Sequence, residues 1–371
     1  HQIHLYKNNT DNKGASYGAH ENYLMRRQTP FADIVAYLTP FFVTRQIVCG
    51  AGRVGIGQDG SGTGFQISQR ADFFEVEVGL ETTLKRPIIN TRDEPHADAD
   101  KYRRLHVIIG DANLSEISTY LKVGTTALIL SMIEEKALTG ELGIADPVSE
   151  LKNISHDPSL QHLVRLRDGR KLTALDLQWA FFERAKAFVD DRLGTGRGRA
   201  HHGRAQPLGD HPGQARPRPD DLRGRAGLGG QAAAAGGVPG ARGLGWASHK
   251  LQLVDLQYSD VRPEKGLYHR LVARGSMKTL LDERETWDAM VNPPEDTRAY
   301  FRGKCLAQYA SEVVAASWDS VIFDIGRESL VRVPMMEPER GTKKHVGALF
   351  ERCESAKDLL EALTGGQKPT T

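Results

Sequence analysis

Residues 103–138, RRLHVIIGDANLSEISTYLKVGTTALILSMIEEKAL, place a strand pattern directly before a long helical pattern. In the first part, Arg104, His106 and Ile108 fall on one face of an alternating strand. In the second part, apolar residues recur at helical spacing, and Ser115 stands where its hydroxyl can cap the first turn. The stretch therefore predicts a strand followed by a helix, and so a protein of mixed class.

The residues before this stretch show alternating apolar and polar positions, broken by Gly, Asn and Asp. The runs HQIHLY (1–6), HENYLM (20–25), GFQISQ (64–69) and FFEVEVGL (73–80) are typical of antiparallel strands with one buried face. Downstream, TALDLQWAFFERAKAFVDDR (173–192) predicts a second helix capped by Thr173. The expected fold class is α+β, with helices packed behind an antiparallel sheet.

The C-terminal part of the chain predicts shorter elements. KLQLVDLQY (250–258) is strand-like, and RETWDAMV (284–291), TRAYFRGKCLAQYASEVVAAS (297–317) and SAKDLLEALT (355–364) have helical patterns. We expect residues 248–273 to complete the first domain. Residues 274–371 then form a small C-terminal domain with a frayed tail.

Composition excludes several classes of protein. Lys and Arg total 49 against 47 for Asp and Glu, so no global charge favours nucleic acid or a membrane surface. Three scattered cysteines form neither a disulfide framework nor a zinc-spaced cluster. Apolar stretches such as TTALILSMI are too short to span a bilayer, and the N-terminal residues do not have the pattern expected of a signal peptide. These features predict a cytoplasmic protein without a membrane partner.

Residues 193–247 differ from the rest of the chain. They are dominated by Gly, Ala, Arg and Pro, and contain no Ile, Phe, Tyr, Met or Lys. A segment with almost no apolar periodicity to build a core is expected to be disordered. It is either a natural arginine-rich linker of the RNA-contacting kind or GC-rich DNA read out of frame. The abrupt return to ordinary sequence at SHKLQLVDLQ (248–257) favours the second interpretation.

The stretch GASYGAHENYLM (14–25) sets three polar groups behind a glycine-rich turn. On a strand, His20 and Asn22 share one face while Glu21 points away. A histidine and an amide beside glycines suit a magnesium–nucleotide site. The alternative is an ordinary strand-edge histidine with no ligand.

Residues 68–111 add a cluster of arginines, acids and histidines, including Arg70, Arg92 and His106. Arginines are suited to phosphate oxygens, although the charges of DEPHADAD (93–100) can also simply neutralise one another in a solvated loop. Without cysteines or a helical HExxH, Mg²⁺ or Mn²⁺ is favoured over zinc. Trp318 is large enough to stack on an adenine ring, or is a core residue.

Three long runs carry a family resemblance: residues 7–24, 65–116 and 251–277. They resemble the Pup deamidase/depupylases, which are related to the Pup ligases within the glutamine synthetase-like carboxylate–amine ligase superfamily. The resemblance covers residues 1–192 and 248–365. GASYG before HENYLM, and FFEVEVGLETTLKR, are more similar to the depupylases than to the ligases.

The resemblance implies a curved antiparallel sheet backed by helices that holds ATP and Mg²⁺, with residues 1–192 forming the catalytic domain. It implies that His20 and His106 are metal ligands and that Asn22 contacts the nucleotide. Arg70 and Arg92 would lie along the phosphates, and Trp318 near the base.

The implied chemistry is hydrolysis of an amide bond, with Pup and pupylated proteins as partners and ATP as a cofactor. The same site would deamidate the C-terminal glutamine of Pup and cleave the isopeptide bond between Pup and a lysine. Arginines and a metal would stabilise the oxyanion.

No carboxylate of this chain matches the family's catalytic aspartate, and the strand pattern is already under way at His1. We therefore expect the N-terminal strands, with that aspartate, to precede residue 1, and the chain as written to be inactive. Two alternatives remain: a Pup–protein ligase of the same family, and a non-enzymatic Pup- or RNA-binding remnant.

Overall fold

The computed structural model describes residues 3–139, 142–192 and 245–365, which form two compact units. The first unit comprises His1–Asp93 and Leu105–Leu280, and the second comprises Glu94–Arg104 and Leu281–Thr371. The predicted aberrant segment 193–247 lies outside the described residues up to position 244.

The first unit holds most of the helices and strands. Its strands are β1 (Glu21–Arg26), β2 (Arg53–Ile56), β3 (Gly62–Gln66), β4 (Phe74–Gly79), β5 (Arg86–Asn90), β6 (Tyr102–Val107, whose first residues belong to the second unit), β7 (Leu163–Arg165) and β8 (Lys171–Thr173). Its helices are α1 (Phe31–Cys49), α2 (Glu116–Glu134), α3 (Pro147–His156), α4 (Ala174–Arg192), α5 (His249–Tyr258) and α6 (Leu267–Ala273).

Helix α1 is the centre of the first core. Ile34, Leu38, Phe41 and Val43 are each at most 1% exposed, and the helix packs against α2, α3 and α4. Its length and composition would suffice to cross a membrane, but 61% of the apolar window is buried inside the protein. A helix that is apolar on all sides is typical of a core helix, and that is its place in this structure.

The strands of the described residues are distributed over five small sheets. β1 pairs with β6, while β2–β3 and β7–β8 are antiparallel pairs. β4 and β5 pair in parallel, with Val78 opposite Ile89. The α+β class is confirmed, but antiparallel pairing does not extend to β4–β5. Alternation of apolar residues determines which face of a strand is buried, and leaves the direction of its partner open.

The predicted helix caps are confirmed at both long helices downstream of the sheet. The Ser115 side chain accepts a hydrogen bond from the Ser118 backbone N–H at the start of α2. At α4, the Asp176 backbone N–H donates to Thr173 Oγ1, and the Thr173 backbone N–H donates to Asp176 Oδ2 (both 3.1 Å). This reciprocal arrangement is a capping box.

The second unit has its own core. It contains α7 (Glu283–Val291), α8 (Ala299–Gln308), β9 (Val313–Ala316), β10 (Ser320–Phe323), β11 (Val331–Pro334), α9 (Lys343–Arg352) and α10 (Ala356–Leu363). β9, β10 and β11 form an antiparallel sheet with β10 in the middle. Phe323, Cys305 and Leu359 are fully buried in the core between these elements.

Three sequence-based element assignments are wrong or incomplete. Residues 250–258 are helical, because Ser248 caps α5 and Leu251, Asp255 and Tyr258 are buried at helical spacing. Residues 3–6 form a single bridge, between Tyr6 and Asp260, in place of a strand. The helical pattern over 297–317 ends at Gln308, and the β-branched pair Val313–Val314 begins strand β9.

Candidate functional site

Strand β1 presents two different faces. Glu21 is buried, at 8% exposure, whereas Asn22 is exposed. His20 immediately precedes the strand and is also exposed. Successive side chains of an extended chain point to opposite faces, so His20 and Asn22 are directed away from the core and Glu21 into it.

His106 on β6 completes a cluster with these two residues. Its Nδ1 lies 3.0 Å from Asn22 Oδ1, although the residues are 84 positions apart in sequence. The rings of His20 and His106 meet edge to face, with their centroids 4.9 Å apart. His106 itself is only 5% exposed. The pairing of β1 with β6 thus brings together three of the side chains singled out from the sequence.

Gly18 makes room for the His20 ring. A Cβ atom at position 18 would lie 2.3 Å from His20 Nε2 and 2.6 Å from Cδ2. Contacts this short do not occur between real atoms, so any larger residue at position 18 would displace the imidazole. The observed position of the His20 ring therefore requires glycine at position 18.

Arg70 supports the same loop from beneath. It is 1% exposed, and its Nη1 donates to Ser16 Oγ (3.1 Å) and to the Tyr17 carbonyl. Burial lowers the pKa of Arg70 to about 10; Asp111 opposes this shift and the charge of Arg86 adds to it. Arg70 thus contributes positive charge and holds the residues that lead into His20.

The potential around His20 is positive. The ring of His20 is partly screened from solvent by its neighbours, which lowers its pKa below the usual value, and the charges of Arg70 and Arg92 lower it further. Arg92, unlike Arg70, is exposed. A neutral imidazole in the field of two guanidinium groups is a favourable environment for an anion such as a phosphate.

Beneath β1 lies a buried ion pair that was not predicted from the sequence. Arg45 Nη2 is 2.6 Å from Glu21 Oε1, and the two side chains are 3% and 7% exposed. The sequence gives little indication of this ion pair, since Arg45 belongs to a helix with no polar stripe. Only its position in an otherwise apolar run suggests that it needs a buried partner.

Trp318 lies in the second unit, in the turn between β9 and β10, and is 66% exposed. The guanidinium carbon of Arg302 lies 5.6 Å from the centroid of its ring. The core alternative for this tryptophan is therefore wrong, while its proximity to a nucleotide base stays a prediction.

The acidic loop is engaged in ion pairs. Asp93 accepts from Arg27 within the first unit, and Glu94 accepts from Arg104 (2.6 Å) within the second. Asp98 lies 3.3 Å from Lys101. These contacts agree with the interpretation of residues 93–100 as a loop whose charges are neutralised locally.

The described residues offer few ligands for a metal. Within 3–139, 142–192 and 245–365, no group of three or more His, Cys, Asp or Glu could hold a metal ion. His20 and His106 provide imidazole nitrogens, whereas Mg²⁺ prefers oxygen ligands and commonly one or two carboxylates. These side chains by themselves therefore do not fit a magnesium ion.

The profile of the Pup-ligase protein family matches residues 1–208 and 236–322. The chain belongs to this family. The resemblance stated from residues 7–24, 65–116 and 251–277 is thereby confirmed.

Curated members of the Pup-ligase protein family resemble the chain to different degrees. The depupylase of Acidothermus cellulolyticus is 62% identical over 98% of this chain and 73% of its own length. The Pup deamidase/depupylase of Mycolicibacterium smegmatis is 56% identical over 98% of this chain and 72% of its own length. The Pup–protein ligase of Corynebacterium jeikeium is 37% identical over 95% of this chain and 78% of its own length.

Two solved structures of a family member share the fold. The Pup ligase PafA in complex with ADP matches with a TM-score of 0.77 at 33% identity, covering 95% of this chain and 77% of PafA. The complex between Pup and PafA matches equally well at 32% identity, covering 100% of this chain and 76% of PafA. The α+β architecture is consistent with the glutamine synthetase-like fold expected from the sequence.

Proposed function

We propose that this chain is of the Pup deamidase/depupylase kind rather than a Pup ligase, and that as written it is inactive. The observation that carries the proposal is the contrast in identity: 62% and 56% to proteins named depupylase, against 37% to 41% to proteins named Pup–protein ligase. Deamidation and depupylation act on the same kind of bond. Water replaces the amine of a γ-carboxamide, which releases ammonia from glutamine or the lysine amine from an isopeptide.

The cofactor of the proposal is ATP, bound at the exposed face of β1. Support comes from the positive potential set up by Arg70 and Arg92 around a neutral His20. The solved PafA structure contains ADP, which supports nucleotide binding in a chain of the same fold. Arg92 is the exposed guanidinium of the pair and is proposed to contact the phosphates. Asn22 is proposed to act beside it.

Magnesium is proposed to bind only together with the nucleotide, as Mg²⁺–ATP. His20 and His106 are close enough to share a ligand, with ring centroids 4.9 Å apart. Because their nitrogens do not suit Mg²⁺ alone, phosphate oxygens and water would have to supply most of its ligands. ATP affinity measured with Mg²⁺ and with excess EDTA tests this point.

Pup and pupylated proteins are the proposed partners, since the relatives are named for Pup and the PafA complex contains it. A cytoplasmic location is proposed as well. The described cysteines Cys49, Cys305 and Cys353 are all buried and unpaired, as expected in a reducing compartment.

A Pup ligase remains the second candidate, because the solved PafA structures share the fold. The experiment incubates the purified chain with ATP, Mg²⁺ and Pup ending in glutamine, and follows the intact mass of Pup. Conversion of the amide to the acid supports the depupylase. A parallel incubation contains Pup ending in glutamate and a protein with accessible lysines. Attachment of Pup in this incubation, without deamidation in the first, supports the ligase.

The inactivity expected from the sequence stays a prediction, and the same assay tests it. Titration with ATP accompanies the assay, so that catalysis and nucleotide binding are judged separately. Binding without turnover supports the nucleotide site alone. Absence of ATP binding would overturn the proposed site.

A further inference from the structure

The buried pair formed by Glu21 and Arg45 lies directly beneath the proposed nucleotide site. Glu21 stands between His20 and Asn22 in the chain, and its side chain points to the opposite face of β1. Any shift of its backbone would therefore move both exposed neighbours. The pair therefore couples the positions of both neighbours to the core.

The geometry of the pair is that of a fork. Arg45 Nη2 and Nη1 donate to Glu21 Oε1 and Oε2 at 2.6 and 3.1 Å, and Tyr23 Oη donates to Oε2 at 2.5 Å. Arg45 Nη1 also donates to Thr126 Oγ1 at 2.7 Å. The network thus ties β1 to α1 and α2 through bidentate contacts, which fix orientation as well as distance.

The close fit of the carboxylate depends on Gly110, which follows β6. A Cβ atom at position 110 would lie 2.5 Å from Glu21 Oε1 and 3.4 Å from Arg45 Nη2. The same chain segment that supplies His106 therefore also leaves space for the Glu21 carboxylate. The contacts on both faces of β1, with His106 on one and around the Glu21 carboxylate on the other, therefore fit the same position of the strand.

The surroundings of Glu21 favour its ionised form. Burial raises the pKa of Glu21, but the charge and hydrogen bonds of Arg45 and the hydrogen bond from Tyr23 outweigh it and leave the pKa below its usual value. Lys122 lies close enough to lower it further, and its Nζ donates to the Asp111 carbonyl at 2.7 Å. Glu21 is thus held as a carboxylate.

Buried ion pairs are often no more stabilising than apolar side chains of the same volume, and their best-attested role is to select one register. A one-residue slip of β1 would send Glu21 to the surface and bury its neighbours. We propose that Glu21 and Arg45 are positioning residues, which lock β1 in the register that directs His20 and Asn22 outward. The role in nucleotide binding rests on the proposed function; the register lock does not.

The test uses the full chain and the double variant E21M/R45M, which removes both charges without leaving one unpaired. Histidine-selective NMR labelling reports whether the His20 and His106 rings still contact each other, and calorimetry reports ATP affinity. We expect loss of the ring contact and an ATP affinity weaker by about tenfold, at a nearly unchanged Tm. If the double variant does not fold, E21Q/R45Q provides a neutral pair that keeps polar partners.

The control is the pair of Asp72 and His156, 2.7 Å apart in the same unit and not in β1. D72N should change Tm and leave both the ring contact and ATP affinity as in the wild type. A retained ring contact in the folded double variant would overturn the positioning role. Failure of the wild type to bind ATP would overturn the nucleotide site instead, because the ring contact is measured without ligand.

Discussion

Asn22 Oδ1 accepts a hydrogen bond from His106 Nδ1 across 3.0 Å, joining β1 to β6 at the exposed edge of the site. An amide oxygen can only accept, so His106 must carry its proton on Nδ1. Whenever the His106 ring is neutral, its lone pair is then on Nε2. Asn22 therefore sets the tautomer of His106, whether or not it also contacts a nucleotide.

Replacing Asn22 by alanine is expected to weaken ATP binding without affecting the fold. Loss of one hydrogen bond that orients a site residue corresponds to about 0.5–1.5 kcal/mol, or about two- to tenfold in Kd. Because Asn22 is exposed, Tm should hardly change. Calorimetric titration with ATP measures the effect. L24A, on the same face of β1, is the matched control and should bind ATP normally; equal affinities for both variants would contradict the role of Asn22.

Gly18→Ala is expected to displace His20 while the protein still folds. The added Cβ would lie 2.3 Å from His20 Nε2, and an exposed ring at the end of a side chain can rotate away. The contact between the His20 and His106 rings should then be lost, and ATP affinity should fall several-fold. NMR of the labelled histidines and ATP titration provide the two measurements.

Gly124 provides the matched glycine control, because it lies within α2 and a Cβ there would meet nothing within 4 Å. G124A should leave the histidines and ATP affinity unchanged, and should stabilise the helix by about 0.5–1 kcal/mol. Retention of the His20–His106 contact in G18A would show that position 18 tolerates a side chain.

Much of the fold is encoded in local patterns. Ser115 and Thr173 could be assigned as caps because a helix start depends only on the residues around it. Helix α1 could not be assigned, since it is enclosed by other helices and has no polar face, and Pro40 interrupts its pattern. The alternating leucines of residues 250–258 suggest a strand. The serine at position 248, which caps the helix in the structure, is the signal in the sequence that indicates a helix instead.

The candidate site was predictable in part. Alternation along β1 separates His20 and Asn22 from Glu21, and the structure shows this separation. The proximity of His106 depends on strand pairing over 84 residues, which local pattern does not specify. The Glu21–Arg45 pair was not predictable, because Arg45 lies in helix α1, which the sequence pattern did not assign.

Asp72 should make folding stability depend on pH. It is 6% exposed, and its carboxylate accepts from His156 (2.7 Å) and Gln66 (2.9 Å). Burial raises the pKa of Asp72, but the hydrogen bond and charge of His156, with the Gln66 hydrogen bond, outweigh it and lower the pKa overall. Its stabilisation is therefore present above the unfolded pKa of about 3.9 and is lost as pH falls through the lower folded pKa.

D72N is expected to lose about 1.5–3 kcal/mol of the free energy of unfolding at pH 6, as for hydrogen bonds to a charged group. The difference from the wild type should shrink as the pH falls below the unfolded pKa of about 3.9 and through the lower folded pKa, because the wild-type carboxylate then becomes protonated. Urea unfolding at several pH values measures both quantities. D191N, at the exposed end of α4, should follow the wild-type curve; a pH-independent deficit in D72N would show that its carboxylate charge has no part in folding.

Phe41 tests the role of α1 as a core helix. Its ring is 1% exposed and meets the Phe181 ring of α4 edge to face, with the centroids 5.3 Å apart. F41A should lower the free energy of unfolding by about 3–5 kcal/mol, because the enclosed cavity cannot collapse fully. F41L should cost less, since most of the volume is retained. Phe182, adjacent to Phe181 but 53% exposed, provides the control: F182A should change stability only slightly, and equal losses at positions 41 and 182 would contradict the burial of α1.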